Sequence, residues 1–278
     1  MEREWVEKIG DALKAARSQK PLVNHITNYV TVNDCANITL AIGASPIMAD
    51  DIRESAEITS ISSALVLNTG TLAEQTIQSM LAAGKKANEL KIPVVLDPVG
   101  VGASKLRNQT VERILHEVKI SVLRGNISEI RYIAGFEAST KGVDASDADM
   151  SSGLEAACTI VKTAARKYGC TVAATGETDI ISDGHRTIMI KNGTRLLASV
   201  TGTGCMCTSL VGAFSGVTKD PMVAAAGGAL CMGIAGEIAE EKAGKVGTGS
   251  FHIAIIDAVS LMDAETLMER AKIYETRD

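Results

Sequence analysis

Apolar residues in this chain fall into short runs separated by longer stretches with helical spacing. Residues 64–67 form one such run, followed by a helical stretch over about 72–89. The unit then repeats. A run at 93–96 precedes a helix near 105–117, a run at 120–123 precedes a helix starting near Ser128, and a helix over roughly 151–168 leads into a run at 170–174. A strand buried on both faces reads as a continuous apolar run, and helices between such runs are the crossovers that cover a parallel sheet. The pattern therefore predicts an α/β protein with a mostly parallel central sheet and helices on both faces. The period changes later. Residues 180–182 and 187–190 flank Asp183-Gly184, which is turn chemistry for an antiparallel pair. Residues 196–200 read as a further short strand. Helices are expected over about 205–217, 221–242 and 253–274, with Pro221 suited to a first helical turn.

Four of the apolar runs end alike, in one polar residue and then a turn. These ends are Asn68 before Thr69-Gly70, Asp97 before Pro98, Arg124 before Gly125, and Thr175 before Gly176. In a parallel sheet they would lie along the carboxyl edge, where open α/β sheets bind ligands. Any one of them alone is most simply a polar residue where a strand meets solvent. Four in step favour a site.

A second constellation is Thr201-Gly202-Thr203-Gly204-Cys205, which leads straight into a helix. A helix start carries unpaired N–H groups and partial positive charge, and glycine lets an anion come close to the backbone. An ordinary glycine-rich helix entry would look the same by spacing alone. There is no GxxxxGK[ST], and Cys207 stands where GxGxxG needs its third glycine, so a P-loop is excluded and dinucleotide binding disfavoured. Asp97 and Glu129 are the acids best placed to hold Mg²⁺, which takes a few carboxylates together with waters and phosphates. Glu129, three residues after Asn126, fits a helix-capping acid equally well.

Composition narrows the function classes. Of 278 residues, 46% are apolar and only 3% aromatic, so the core must rest on Ala, Val, Ile, Leu and Met. The formal net charge is −5 and no Lys/Arg cluster offsets it, which argues against a nucleic-acid partner. No repeat, low-complexity tract or linker divides the chain, so residues 1–278 are expected to form one domain. The first residues lack the apolar centre of a signal peptide. The apolar stretch at 223–235 is too short to span a bilayer and runs into Glu237, Glu240 and Glu241. A soluble, cytoplasmic protein with no membrane partner is expected. The six cysteines show no CxxC pair and read as reduced, mostly buried thiols. Cys205 stands apart, because a thiol at a helix N-terminus is expected to have a lowered pKa. His25 falls in a Thr/Asn-rich segment and is expected in a loop that lines a pocket.

The ordered blocks Pro21-Leu22-Val23 with Ile26-Thr27-Asn28, Gly43 to Ala49, Leu67 to Leu72, Leu96-Asp97-Pro98-Val99-Gly100, Arg124-Gly125-Asn126 with Ser128-Glu129, Lys141-Gly142-Val143-Asp144, Ala174-Thr175-Gly176-Glu177 and Val200 to Cys205 span nearly the whole chain. Together they resemble the hydroxyethylthiazole kinases of thiamine salvage, within the ribokinase-like superfamily. The resemblance implies a three-layer α/β/α fold and transfer of the ATP γ-phosphoryl group to 4-methyl-5-(2-hydroxyethyl)thiazole. It implies thiazole contacts at Met48 and Gly202 with Asn28 nearby, ATP contacts at Arg124 and Thr175, Mg²⁺ at Asp97 and Glu129, and Cys205 where many such kinases carry a catalytic Asp. It further implies a homotrimer with the active site between subunits. The Asn24-His25 order departs from the family's habit of His followed by another polar residue. The alternatives are another ribokinase-like enzyme, either a hydroxymethylpyrimidine-type small-alcohol kinase or a repair enzyme for hydrated nicotinamide nucleotides, or a non-catalytic thiazole- or nucleotide-binding protein.

Overall fold

Nine strands join into one sheet in the computed structural model, which describes residues 2–136 and 147–276. They are β1 (Leu22–Ile26), β2 (Ser45–Ile47), β3 (Ala64–Asn68), β4 (Val94–Asp97), β5 (Val122–Asn126), β6 (Thr171–Thr175), β7 (Asp179–Ser182), β8 (Thr187–Ile190) and β9 (Ile273–Thr276). Their order is β2-β1-β3-β4-β5-β6-β7-β8-β9. The neighbours from β2 through β6 run parallel, and β7, β8 and β9 add antiparallel. The chain moves from β1 out to β2 and then returns to the other side of β1 for β3. That reversal is a topological switch point, the place where open parallel sheets form a crevice.

Helices cover both faces. On one face lie α1 (Glu2–Gln19), α2 (Val32–Ile42), α8 (Thr203–Ser215), α9 (Pro221–Ala243), α10 (Thr248–Leu261) and α11 (Ala264–Arg270). On the other lie α4 (Glu74–Leu90), α5 (Lys105–Glu117), α6 (Ile127–Ala134) and α7 (Asp147–Tyr168), with the short α3 (Ser55–Ser60) packed on α4. The strands divide their apolar residues between these layers with period two. Val66, Val95, Val122, Ala173 and Ile181 join the layer containing α8, while Leu65, Leu67, Leu96, Leu123, Val172 and Ile180 join the layer containing α4. In β3, β4, β5 and β6 the residues between the two helical layers are mostly apolar, which is why these strands read as apolar runs, whereas β1 buries Asn24 and His25 within it.

The structure departs from the sequence reading in several places. Residues 196–200 are not a strand, because Arg195–Ser199 forms a 3₁₀ turn whose Leu196 N–H is taken by the Thr194 hydroxyl. The expected helix over 253–274 is three elements. α10 stops at Leu261, Asp263 caps α11 by accepting from Thr266 N at 2.8 Å, and the chain then pairs as β9 with β8. His25 lies inside β1 and is fully buried, not in a loop. The stretch at 223–235 belongs to a 23-residue helix that is long and apolar enough to cross a bilayer, and 89% of its most apolar window is buried inside the protein.

Candidate active site

The two-residue period of the strands decides where the four polar strand ends point. Asn68 shares parity with Val66, Asp97 with Val95, Arg124 with Val122, and Thr175 with Ala173, so all four face the layer that contains α8. They are joined side by side. Asn68 pairs in register with Asp97 and donates from Nδ2 to Asp97 Oδ2 at 2.9 Å. An Arg124 Nη1 lies 3.8 Å from that oxygen, and Arg124 Nη2 donates to Thr175 Oγ1 at 2.6 Å. One polar line thus crosses the carboxyl edge from β3 to β6.

Helix α8 lies over this line with its N-terminus at the edge. Its N-cap is Gly202, at φ 86°, and no side chain caps it. The conformation is one that L side chains avoid, and a Cβ there would sit 2.7 Å from Thr31 Cγ2, so glycine is required. Gly204 serves a different purpose, since a Cβ on it would fall 2.8 Å from an Arg124 nitrogen. The first-turn N–H groups and the Arg124 guanidinium therefore meet at one place, which is suited to phosphate. Cys205 and Thr208 are one turn apart and point down onto the strands. Thr208 Oγ1 donates to Asp97 Oδ2 at 2.8 Å, while Cys205 Sγ lies 3.3 Å from both Asn28 Nδ2 and Asn68 Nδ2.

Burial sets the electrostatics. Asp97 is 1% exposed, and burial pushes its carboxyl up to about 6 against the pull of Arg124 and of the Thr208 and Asn68 donors. Its Oδ2 carries every one of these contacts, whereas Oδ1 is buried without a partner. The lowered thiol pKa expected for Cys205 is not found. Burial, and then the negative charge of Asp97, raise it above the ordinary thiol value and outweigh the Thr31, Asn28 and Asn68 donors. Asp179, at the start of β7, accepts from Gly176 N at 2.9 Å and is pushed up by burial to about 7.

Glu129 does the capping work that its spacing allowed. Its Oε2 accepts from Asn126 N at 2.8 Å while Asn126 Oδ1 accepts from Glu129 N at 2.9 Å, a reciprocal box at the start of α6. The other oxygen, Oε1, accepts from Gly100 N at 2.9 Å and ties the loop after β4 to α6. Arg107 ties the same loop to its neighbour, donating to Val99 O at 2.7 Å, to Gly70 O at 2.8 Å and to Thr69 O. Among the described residues no three of His, Cys, Asp and Glu gather into a metal cluster. A divalent cation at Asp97 and Glu129 would share its shell with ligands from outside the chain.

Asn28, 4% exposed after β1, donates to Asn68 Oδ1 at 3.0 Å as well as to Cys205, which joins it to the polar line across the switch point. Met48 is half-buried just past β2, and the adjacent Ala49 N–H is held by Asn24 Oδ1 at 3.3 Å. Asn24 also donates to Thr59 Oγ1 at 3.0 Å, so this departure from the family's order braces the Met48 segment. The Lys141-Gly142-Val143-Asp144 block lies outside the described residues. Sequence reasoning put Asn68 on the ligand edge without a role of its own and did not single out Thr208, Arg107 or Asp179. Thr208 was the most accessible of them, lying three residues beyond Cys205 on the same helix face.

Comparison with known proteins bears on the family and the fold. The model of the hydroxyethylthiazole kinase family matches residues 13–265. A hydroxyethylthiazole kinase from Clostridium beijerinckii is 61% identical over 275 residues, 99% of this chain and 100% of that protein. The solved hydroxyethylthiazole kinase of Pyrococcus horikoshii superposes with a TM-score of 0.89 at 40% identity, covering 98% of this chain and all of the other. A ribokinase-like superfamily protein from Enterococcus faecalis, only 11% identical, has a TM-score of 0.59 over 87% of this chain and 88% of its own, a likeness of fold alone.

Proposed function

The chain belongs to the hydroxyethylthiazole kinase family, and from that premise we propose that it transfers the γ-phosphoryl group of ATP to the hydroxyl of 4-methyl-5-(2-hydroxyethyl)thiazole. The observation that carries the reading is the meeting of the uncapped α8 terminus, bearing Cys205, with the Asn68–Asp97–Arg124–Thr175 line. In the transfer the bond between the γ-phosphorus and its bridging oxygen breaks, a bond from the alcohol oxygen forms, and ADP leaves. Such transfers need charge stabilisation and positioning more than strong base catalysis. The first-turn N–H groups of α8 face the transferring phosphoryl, and Arg124 with Thr175 holds ATP phosphates. Cys205 orients the alcohol through its sulfur, and its thiolate, which the raised pKa makes the minor form at neutral pH, is the form that receives the alcohol proton late in transfer.

The partnerless Oδ1 of buried Asp97 fits a cation shell, and Glu129 keeps a lone pair on each oxygen after its backbone contacts. Mg²⁺ held there with its waters would neutralise phosphate charge. Met48 and Gly202 flank the thiazole, with the polarisable Met48 side chain against the ring. The 278 residues act as one ribokinase-like domain in the cytoplasm, and neither nucleic acid nor membrane takes part. A homotrimer with the site between subunits is supported by Tyr29 and Val30, which are 79% and 58% exposed beside Asn28.

The test is ADP release from ATP and Mg²⁺ with and without the thiazole, against other small alcohols including hydroxymethylpyrimidine. Thiazole-dependent release is expected. Release with another alcohol alone would move the substrate while keeping the phosphate site. No release with any acceptor would refute the kinase reading in favour of a binding protein. Sedimentation equilibrium reads the trimer.

A further inference from the structure

Asn68 is the one side chain among the described residues that hydrogen-bonds to both Asp97 and Cys205. Its orientation is not ambiguous. Gly70 N can only donate, and it meets Asn68 Oδ1 at 2.9 Å, so the carbonyl faces Gly70 and the NH₂ faces Asp97. Oδ1 also accepts from Asn28 at 3.0 Å, and the two Nδ2 hydrogens go to Asp97 Oδ2 and Cys205 Sγ. Both donors and both lone pairs are used, and the residue is 1% exposed, so the amide has no room to turn.

We infer that Asn68 is a positioning residue that sets the phosphate-and-metal half of the site and the thiol half in one fixed relation. By occupying Asp97 Oδ2 it leaves Oδ1 as the oxygen that faces a cation, and with its second hydrogen it holds the sulfur toward the acceptor. The assignment rests on the kinase reading for the purpose of this coupling, not for its geometry. Thr208 holds Asp97 without touching Cys205 Sγ, so the two halves can be perturbed separately or together.

The experiment compares wild type, Asn68→Leu and Thr208→Val, each checked for folding by its melting temperature. The first readout is the iodoacetamide alkylation rate of Cys205 in metal-free protein at pH 8, read on its peptide by mass spectrometry. The second is Mn²⁺ binding in the presence of ADP, followed by electron paramagnetic resonance. Asn68→Leu is expected to slow alkylation and weaken Mn²⁺ binding, each about tenfold, the scale of one hydrogen bond to a charged group. Thr208→Val is expected to weaken Mn²⁺ binding alone. If Asn68→Leu does not fold, Asn68→Ser is read in its place. A folded Asn68 variant that moves only one readout, or neither, overturns the inference. Neither readout needs turnover, so a wild type without thiazole-dependent ADP release would remove the kinase reading and leave this inference to its own data.

Discussion

Replacing Asp97 with Asn should make the protein more stable and nearly inactive. The side chain is fully buried, and its carboxyl titrates at about 6 in the folded chain against an ordinary 3.8. At about 1.36 kcal/mol for each tenfold in proton affinity, ionisation of Asp97 opposes folding by about 3 kcal/mol above pH 6. The sign follows from the raised folded value. The cost is absent below pH 3.8, grows as pH rises, and is complete above about 6. Asn mimics the neutral acid, since its carbonyl can accept from Asn68 and Thr208 as Oδ2 does now. Urea unfolding in EDTA at pH 7.5 should therefore show Asp97→Asn more stable by up to about 3 kcal/mol, a rise of several degrees in Tm. At pH 4 the two proteins should converge. Thiazole-dependent ADP release should fall at least a hundredfold, on the order of losing a central charge from a phosphoryl-transfer site. Equal or lower stability of the variant at pH 7.5 would refute the claim that Asp97 is held ionised at a cost to folding.

Cys205→Ala should lower turnover by roughly 10²–10⁴ if the sulfur receives the alcohol proton, and unchanged turnover would remove it from the mechanism. Arg107→Met should cut kcat/KM by about tenfold or more by freeing the loops after β3 and β4, and Arg107→Lys should recover little, because one ammonium cannot span three carbonyls. Full recovery by Lys would mean that only the charge matters there. His25 titrates at about 4 against an ordinary 6.5 because it is buried, so the stability it contributes above pH 6.5 should fade as pH drops, by about 2 kcal/mol at pH 5. His25→Leu should lack that share of the acid loss, and parallel pH profiles for wild type and variant would contradict it.

The fold class and the polar strand ends were both legible in the sequence, for a physical reason. In β3, β4, β5 and β6 a single polar side chain follows each apolar run, so Asn68, Asp97, Arg124 and Thr175 stood out. Their shared direction was also encoded, since each lies an even number of residues from an α8-facing valine or alanine. Counting parity would have brought them together under one helix and pointed to Thr208. What stayed hidden depends on non-local pairing. β9 exists only because β8 is there to pair with it, and its first residues, Ile273 and Tyr274, continue an apolar periodicity that reads as helix. The cap at Asp263 was a visible break signal that the periodicity obscured. The pKa of Cys205 went the other way from its local setting because burial and Asp97 come from strands distant in sequence.

Helix α9 is enclosed around its whole circumference. Every residue from Met222 to Gly236 is buried, and the first charge is Glu237. A helix walled in on all sides cannot keep a polar stripe, so its composition converges on that of a bilayer span. During synthesis that segment therefore has two destinations, the sheet it belongs to and any membrane or chaperone it meets first. Which one it reaches is a race won by the speed with which α8, α10 and the strands close around it. A substitution that merely delays that closure would lower the yield of soluble protein while leaving the finished molecule as stable as before.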